Sequence, residues 1–429
     1  MEKEASGPAS MRPGGYFDSP WPAEDGGPQR LQTAPVASTP GLNLRPGERL
    51  ACTTRHTLLS TMTVLGAPGE VYLLTHSALR ARLGVPTTAC VERIDPISLQ
   101  PLARSPRLPG GPMWPGGMAL HRNGDLFVVY GRYLHRLDRQ CQPLSSLQLP
   151  IDAPYNSFVV LDNGLIVTKN LSDTLAARLT VVDPATSARA CPDQDCPEPS
   201  IARLSAMGNT VYVVGVRSIF RYHWSDAAAQ LVFDAGWRFD YIGATGQSYG
   251  WDVVLDGQHA WFMDNGRHRY LFRMVSAGVS PTPNRLLRVS LSDAADHQAL
   301  NVCGAAGGSI TNPPLVDLQR RIVVGYDSAN RQMQAWRFDP ALRALQPLWH
   351  KGELGCASHM LLYPATGELV TNDYRRFGEE VVVLDIETGA ERGRVRVGGL
   401  TQGVVFPSVG WGRDLYWCSM GKLARVCVE

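Results

Sequence analysis

Polar oxygens and aromatic rings recur at two kinds of position along this chain, and together they outline a site for a small polar molecule. Trp114, Tyr155, Asn156, Trp251, Asp252, Asn312, His359 and Gln402 stand where short β-forming runs begin. Lys169, Asn170, Asp264, Asn265, Tyr326, Asp327, Asn372 and Asp373 stand where the following runs end. Carboxylate and carboxamide oxygens suit Ca2+, which takes roughly six to eight oxygen ligands, or a polyhydroxylated ligand stacked on an indole such as Trp251. His359 is the one member suited to general acid–base work near neutral pH, and Asp373 ends the next run. A His359–Asp373 catalytic pair is therefore expected, for hydrolysis, isomerisation or elimination. Ligand contacts fall to Trp114, Tyr155, Asn156, Trp251, Asp252, Asp264, Asn265, Asn312, Asp327 and Asn372. The competing explanation is structural, because Asn and Asp tolerate left-handed backbone and bond their own amides in turns.

These positions matter only if the elements around them bring them together, and a repeat does so. A turn followed by a β-branched or aromatic run appears as Asn123-Gly-Asp-Leu-Phe-Val-Val129, Asn163-Gly-Leu-Ile-Val-Thr168, Gly208-Asn-Thr-Val-Tyr-Val-Val214 and five further versions. After each of the first seven comes a strand ending in Asp and a turn, as in Arg93-Ile-Asp95-Pro96 and Arg337-Phe-Asp339-Pro340. Asp95, Asp138, Asp183, Asp226, Asp293, Asp339 and Asp385 are spaced 43, 45, 43, 67, 46 and 46 residues apart. Periods of that size with short strands and no sustained helical period predict an all-β closed β-propeller, with eight four-stranded blades, or seven if one hairpin is spurious. The eighth unit, from Gln402, ends after its third strand, so Arg49-Leu-Ala-Cys-Thr-Thr54 is expected to supply the outer strand and close the ring. In this geometry both residue sets gather at one mouth. The long spacing marks an insertion, Gly266 to Arg285, over that mouth, carrying Arg267, His268, Arg269, Tyr270 and Arg273.

Val381-Val-Val-Leu-Asp-Ile-Glu-Thr-Gly389 resembles the outer hairpin of pyrroloquinoline-quinone-type propeller repeats, and Trp21-Pro22 with Gly26-Gly-Pro-Gln-Arg30 resembles the lead-in of the same superfamily. The resemblance implies the fold. Its quinone-binding members rely on adjacent cysteines, and the chain has no Cys-Cys dipeptide, so a quinone cofactor is not expected. The mouth chemistry is similar to that of the calcium propellers of the strictosidine-synthase, lactonase and paraoxonase type, without a matching Glu.

Composition narrows the classes further. Net charge is +2 with basic residues scattered, which offers no footprint for nucleic acid. No apolar stretch is long enough to span a bilayer, and Met1 to Glu48 lacks the apolar core of a signal peptide, so a cytoplasmic protein without membrane association is expected. That segment, residues 1–48, reads as a flexible Pro/Gly-rich tail before a propeller over 49–429. Nine cysteines cannot all pair within one chain; Cys191 and Cys196 would be free, a small disulfide loop, or half a metal site. No Gly-x-Ser-x-Gly elbow, His-Glu-x-x-His, phosphate loop or dinucleotide fingerprint is present. Two functions fit: a propeller that binds or transforms a small polar molecule at its mouth, or a non-catalytic platform for a protein partner.

Overall fold

In the computed structural model each β run pairs with the next as an antiparallel hairpin, and the turn chemistry shows why. Asn123 and Asn163 accept the amides of Asp125 and Leu165, and the glycines after them take left-handed backbone (φ 92° and 93°) that an L side chain resists. Between third and fourth strands the Asp side chain caps the turn. Asp95 accepts the amides of Ile97 and Ser98, Asp138 those of Gln140 and Gln142, and Asp385 those of Glu387 and Thr388. The degraded unit differs: Ser225 Oγ accepts the amide of Ala228, and Asp226 receives the Trp224 indole N–H. The structure describes residues 14–77, 80, 83–243, 246–267, 269, 275, 278–339, 344–375, 378–399 and 406–429. Gln402, His268, Tyr270 and Arg273 lie outside them.

Eight sheets result, and their order around the ring is the order of the chain. Blades 1 to 7 span 59–111, 117–148, 155–200, 205–240, 254–301, 315–351 and 361–396. Inner strands are covered on both faces by neighbouring blades, so Gly117–Leu120 is buried throughout, whereas the outermost strand of the same blade, Pro143–Gln148, is mostly exposed. Blade 8 takes three strands from the C-terminus and its fourth from the N-terminal side: Leu50–His56 pairs with Lys422–Val428, from Leu50 opposite Val428 to His56 opposite Lys422. The expected closure is therefore present. A chain beginning at residue 59 will leave the edge of Lys422–Val428 bare and will self-associate, measured by light scattering on a sizing column. A monomer with unchanged melting would show that this strand is dispensable.

The largest departure from expectation lies before that strand. Residues 14–48, read from the sequence as part of a flexible tail, are laid across the ring at the ends of the inner strands. Carbonyls of Trp21, Pro22, Pro28, Gln29 and Gln32 accept the amides of Leu65, Leu120, Ala206, Leu255 and Leu362, and the Tyr16 hydroxyl accepts that of Val160. Blades 1 to 5 and blade 7 are thus tied to one segment. Trp21 is 1% exposed in an apolar cluster with Leu65, Val71 and Trp417. The physical reason is complementarity: inner-strand amides that would face the channel end without partners meet an extended segment that supplies carbonyls. All nine cysteines are free thiols. No helix among the described residues is long and apolar enough to cross a membrane.

Candidate functional site

The segment inserts charge at the ring's axis. Glu24, Asp25 and Arg30 sit between blades, where Arg30 donates to Glu24 (2.9 Å), Asp25 (3.3 Å), Ser157 Oγ (3.0 Å) and the Leu204 carbonyl (2.8 Å). Arg203, on the loop into blade 4, lies 3.5 Å from Glu24 and 3.5 Å from Asp252. His359, on the loop into blade 7, meets Asp25 at 2.9 Å and lies against the Phe406 ring, over which Arg203 also sits. All six charged or titratable residues are at most 5% exposed. Asp25, Arg30 and Gln32 hold left-handed φ of 54° to 56°, a conformation that costs free energy at a side chain such as Arg or Gln. Ion pairs offset that strain, as does Gln32, whose amide spans from the Pro314 carbonyl to the Met360 N–H.

Burial and charge act against each other in this cluster. Burial drives the Glu24 carboxyl above the usual carboxylate range, with Arg30 and Arg203 opposing it. Burial also works to raise Asp252, but Arg203 and Arg30 outweigh it and hold its carboxyl below that range. Behind Asp252, burial depresses the Lys169 amine to about 7, and its Nζ donates to the Ser200 carbonyl at 3.1 Å. Several polar atoms here have no hydrogen-bond partner among the described residues: His359 Nε2, Arg203 Nη2, Glu24 Oε1, Asn312 Oδ1 and Ser358 Oγ. On the mouth side Trp114 stacks on Trp251 at 6.1 Å and 23°. Their loops lead into blades 2 and 5, three blades apart in a ring of eight, so the pair closes over the axis.

Four of the expected site residues are therefore brought together in two pairs, Trp114 with Trp251 and Asp252 with His359. The others hold the scaffold. Asn156 and Asn312 donate to the Ile201 and Ala357 carbonyls, tying each blade to the next. Asp264 binds Arg285, and burial raises its carboxyl to about 6 against that arginine. Asn265 bonds Ser248 and Thr282, Asp327 holds Ser309 and Asn330, and Asn372 pairs with Ala357 and Glu379. Tyr155 points into the core between blades 2 and 3, its hydroxyl accepting the Ile151 amide. The expected His359–Asp373 pair is not what the geometry gives. His359 faces Asp25, while Asp373 is enclosed by Arg331, Arg375, Arg394 and the Gly355 amide. Sequence reasoning missed Glu24, Asp25, Arg30 and Arg203; the signal was three charged residues packed among the Trp, Gly and Pro of one short run.

No family model matches the sequence, and no curated protein does. Solved structures do. The quinohemoprotein alcohol dehydrogenase of Comamonas testosteroni is similar to this chain at 11% identity and a TM-score of 0.61, over 95% of this chain and 80% of that one. The Dos1 propeller follows at 9% identity and 0.55, over 89% and 95%. The RRP9 WD40 repeats match at 11% and 0.50, over 89% and 98%. What is shared is the fold. At such identities a dehydrogenase and a WD40 ring establish the β-propeller fold and nothing finer.

Proposed function

We propose that the buried ion cluster at the axis, between the Trp114–Trp251 stack and the inserted N-terminal segment, forms a chamber that binds a small polar molecule. One observation carries this reading: His359, Arg203 and Glu24, joined in one buried ion cluster, each keep a polar atom without a hydrogen-bond partner among the described residues. Buried polar atoms are nearly always satisfied, so a concentration of orphans marks room for water or a ligand. Arg203 supplies a donor, Glu24 an acceptor and His359 an imidazole that can give or take a proton.

A second reading, a platform for a protein partner, is favoured by exposed apolar side chains: Leu58 is 53% exposed and Leu83 78%, both in connecting loops, and Leu175 49%, near the start of the strand Ser172–Asp183. A thermal-shift screen with sugars, lactones and hydroxy acids separates the two. A ligand held only by the folded chain at about a hundred times its Kd adds about 2.7 kcal/mol, a rise of a few degrees. That rise is expected in the wild type and not in His359→Gln. If no compound moves the midpoint, and a co-purifying protein is lost from the Leu83→Asp/Leu175→Asp variant, the chamber reading falls and the platform stands.

A further inference from the structure

The floor of the chamber carries an inference that rests on that reading and deepens it. Asp25, Asp252 and His359 each offer one ligand atom, these atoms lie within 4.8 Å of one another, and all three residues are buried. An independent observation points the same way. Neither ring nitrogen of His359 and not Oδ1 of Asp25 makes a hydrogen bond among the described residues, although the two side chains approach to 2.9 Å. A fully buried imidazole and a carboxylate brought that close without hydrogen-bond alignment are placed as two donors toward a third party. Glu24 Oε1, on the adjoining residue, is unpartnered as well.

We propose that Asp25, Asp252 and His359 hold one first-row divalent cation of the Zn2+ or Mn2+ class, fastening the N-terminal segment to blades 5 and 7. The donor set is one nitrogen and two carboxylate oxygens, which suits such ions; Ca2+ would want roughly six to eight oxygens. Metal–ligand distances near 2.1 Å place tetrahedral ligands about 3.4 Å apart and ligands across an octahedral ion about 4.2 Å apart, so the widest separation in the site is expected to shorten on loading. The arginines take the other sides of the carboxylates. Arg30 lies 3.3 Å from Asp25 Oδ2, and Arg203 donates its backbone N–H to Asp252 Oδ1 at 2.6 Å with a guanidinium nitrogen 3.5 Å from Oδ2. Partners of this kind orient metal-binding carboxylates. Three donors leave a coordination position for water, Glu24 or the chamber's ligand.

The full-length protein, stripped with EDTA and dialysed into metal-free buffer, is titrated with Co2+ followed by its visible absorption, and with Zn2+, Mn2+ and Ca2+ by calorimetry. One Co2+ or Zn2+ per chain is expected, with Ca2+ bound far more weakly. Asp25→Asn and His359→Gln, each checked for folding by circular dichroism, should weaken Zn2+ at least tenfold. Stoichiometric binding that persists undiminished in both folded variants overturns the proposal, as does a wild type that takes up neither Co2+ nor Zn2+ at micromolar free ion. Should the variants not fold, Cu2+-loaded wild type decides through electron spin echo modulation: imidazole nitrogen coupling supports the site and its absence overturns it. No organic ligand enters these measurements. A failed ligand screen with Co2+ bound therefore sinks the chamber reading alone, and a ligand shift without metal uptake sinks the cation alone.

Discussion

Arg30→Met will destabilise the protein by about 3–5 kcal/mol, the loss typical when one partner of a buried ion cluster is removed. Arg30 is 2% exposed and its guanidinium meets Glu24, Asp25, Ser157 and the Leu204 carbonyl at once. Methionine fills a similar volume and satisfies none of these groups, so two carboxylates stay buried with Arg203 as the remaining guanidinium near them. Backbone strain is unchanged, because methionine at φ 55° is no easier than arginine. The expected result is a lower urea midpoint together with a local signature. Amides of Leu65, Leu120, Val160, Ala206 and Leu255, which donate to the inserted segment, should lose hydrogen-exchange protection more than amides inside the blades. Glu24→Gln should cost less, since burial already favours the neutral form of that carboxyl. Unchanged protection at those amides in Arg30→Met would mean that the segment is held by its apolar contacts around Trp21 instead.

The ring was legible and the segment that fills it was not, for one physical reason. A blade is a local object: Asn123-Gly124 sets its hairpin, Asp138 caps its outer turn, and each strand finds its partner within a few dozen residues. Periodicity registers such local pairing, and the missing strand of the last unit pointed to Arg49–Thr54, which overlaps the observed strand Leu50–His56. The inserted segment is stabilised by partners spread over the whole chain. Composition makes it look unstructured, because its carbonyls accept amides from separate blades that no local pattern announces. The same limit applies at the axis. His359 and Asp252 stood out as chemistry at strand starts, but the partner of His359 comes from the other end of the chain. Tyr155 and Asn156 are neighbours at one strand start, yet one faces the core and the other ties two blades, an alternation that a slip of one residue reverses. Residues that looked like ligands, Asp264, Asp327 and Asp373, are the groups that loops near the mouth need to satisfy their own amides and arginines.

Lys169→Met will stabilise the protein near neutral pH and flatten its alkaline stability profile. Burial lowers the Lys169 amine from 10.5 to about 7, so between those values the unfolded chain carries a proton that the folded chain does not. Stability therefore rises with pH across that window, and the full penalty is present below about pH 7. Every tenfold loss of proton affinity is worth about 1.4 kcal/mol, which makes the penalty about 5 kcal/mol. Methionine removes it and forfeits the bond from Nζ to the Ser200 carbonyl, about 1–2 kcal/mol, so a net gain of about 3 kcal/mol at pH 7 is expected. Urea midpoints of both proteins at pH 7 and pH 9.5 check the sign: the wild type should gain on going alkaline and the variant should gain much less. Parallel profiles would show that the amine is not driven neutral by its surroundings. A lysine retained in such a place, with Asp252 and Arg203 acting on its charge, adds a titratable cation beside the chamber wall. Asp252 favours that charge, so a ligand or ion that neutralises Asp252 is expected to lower the Lys169 amine further. Calorimetric titration of the chamber in buffers of different ionisation enthalpy should accordingly show proton exchange in the wild type that is reduced in Lys169→Met.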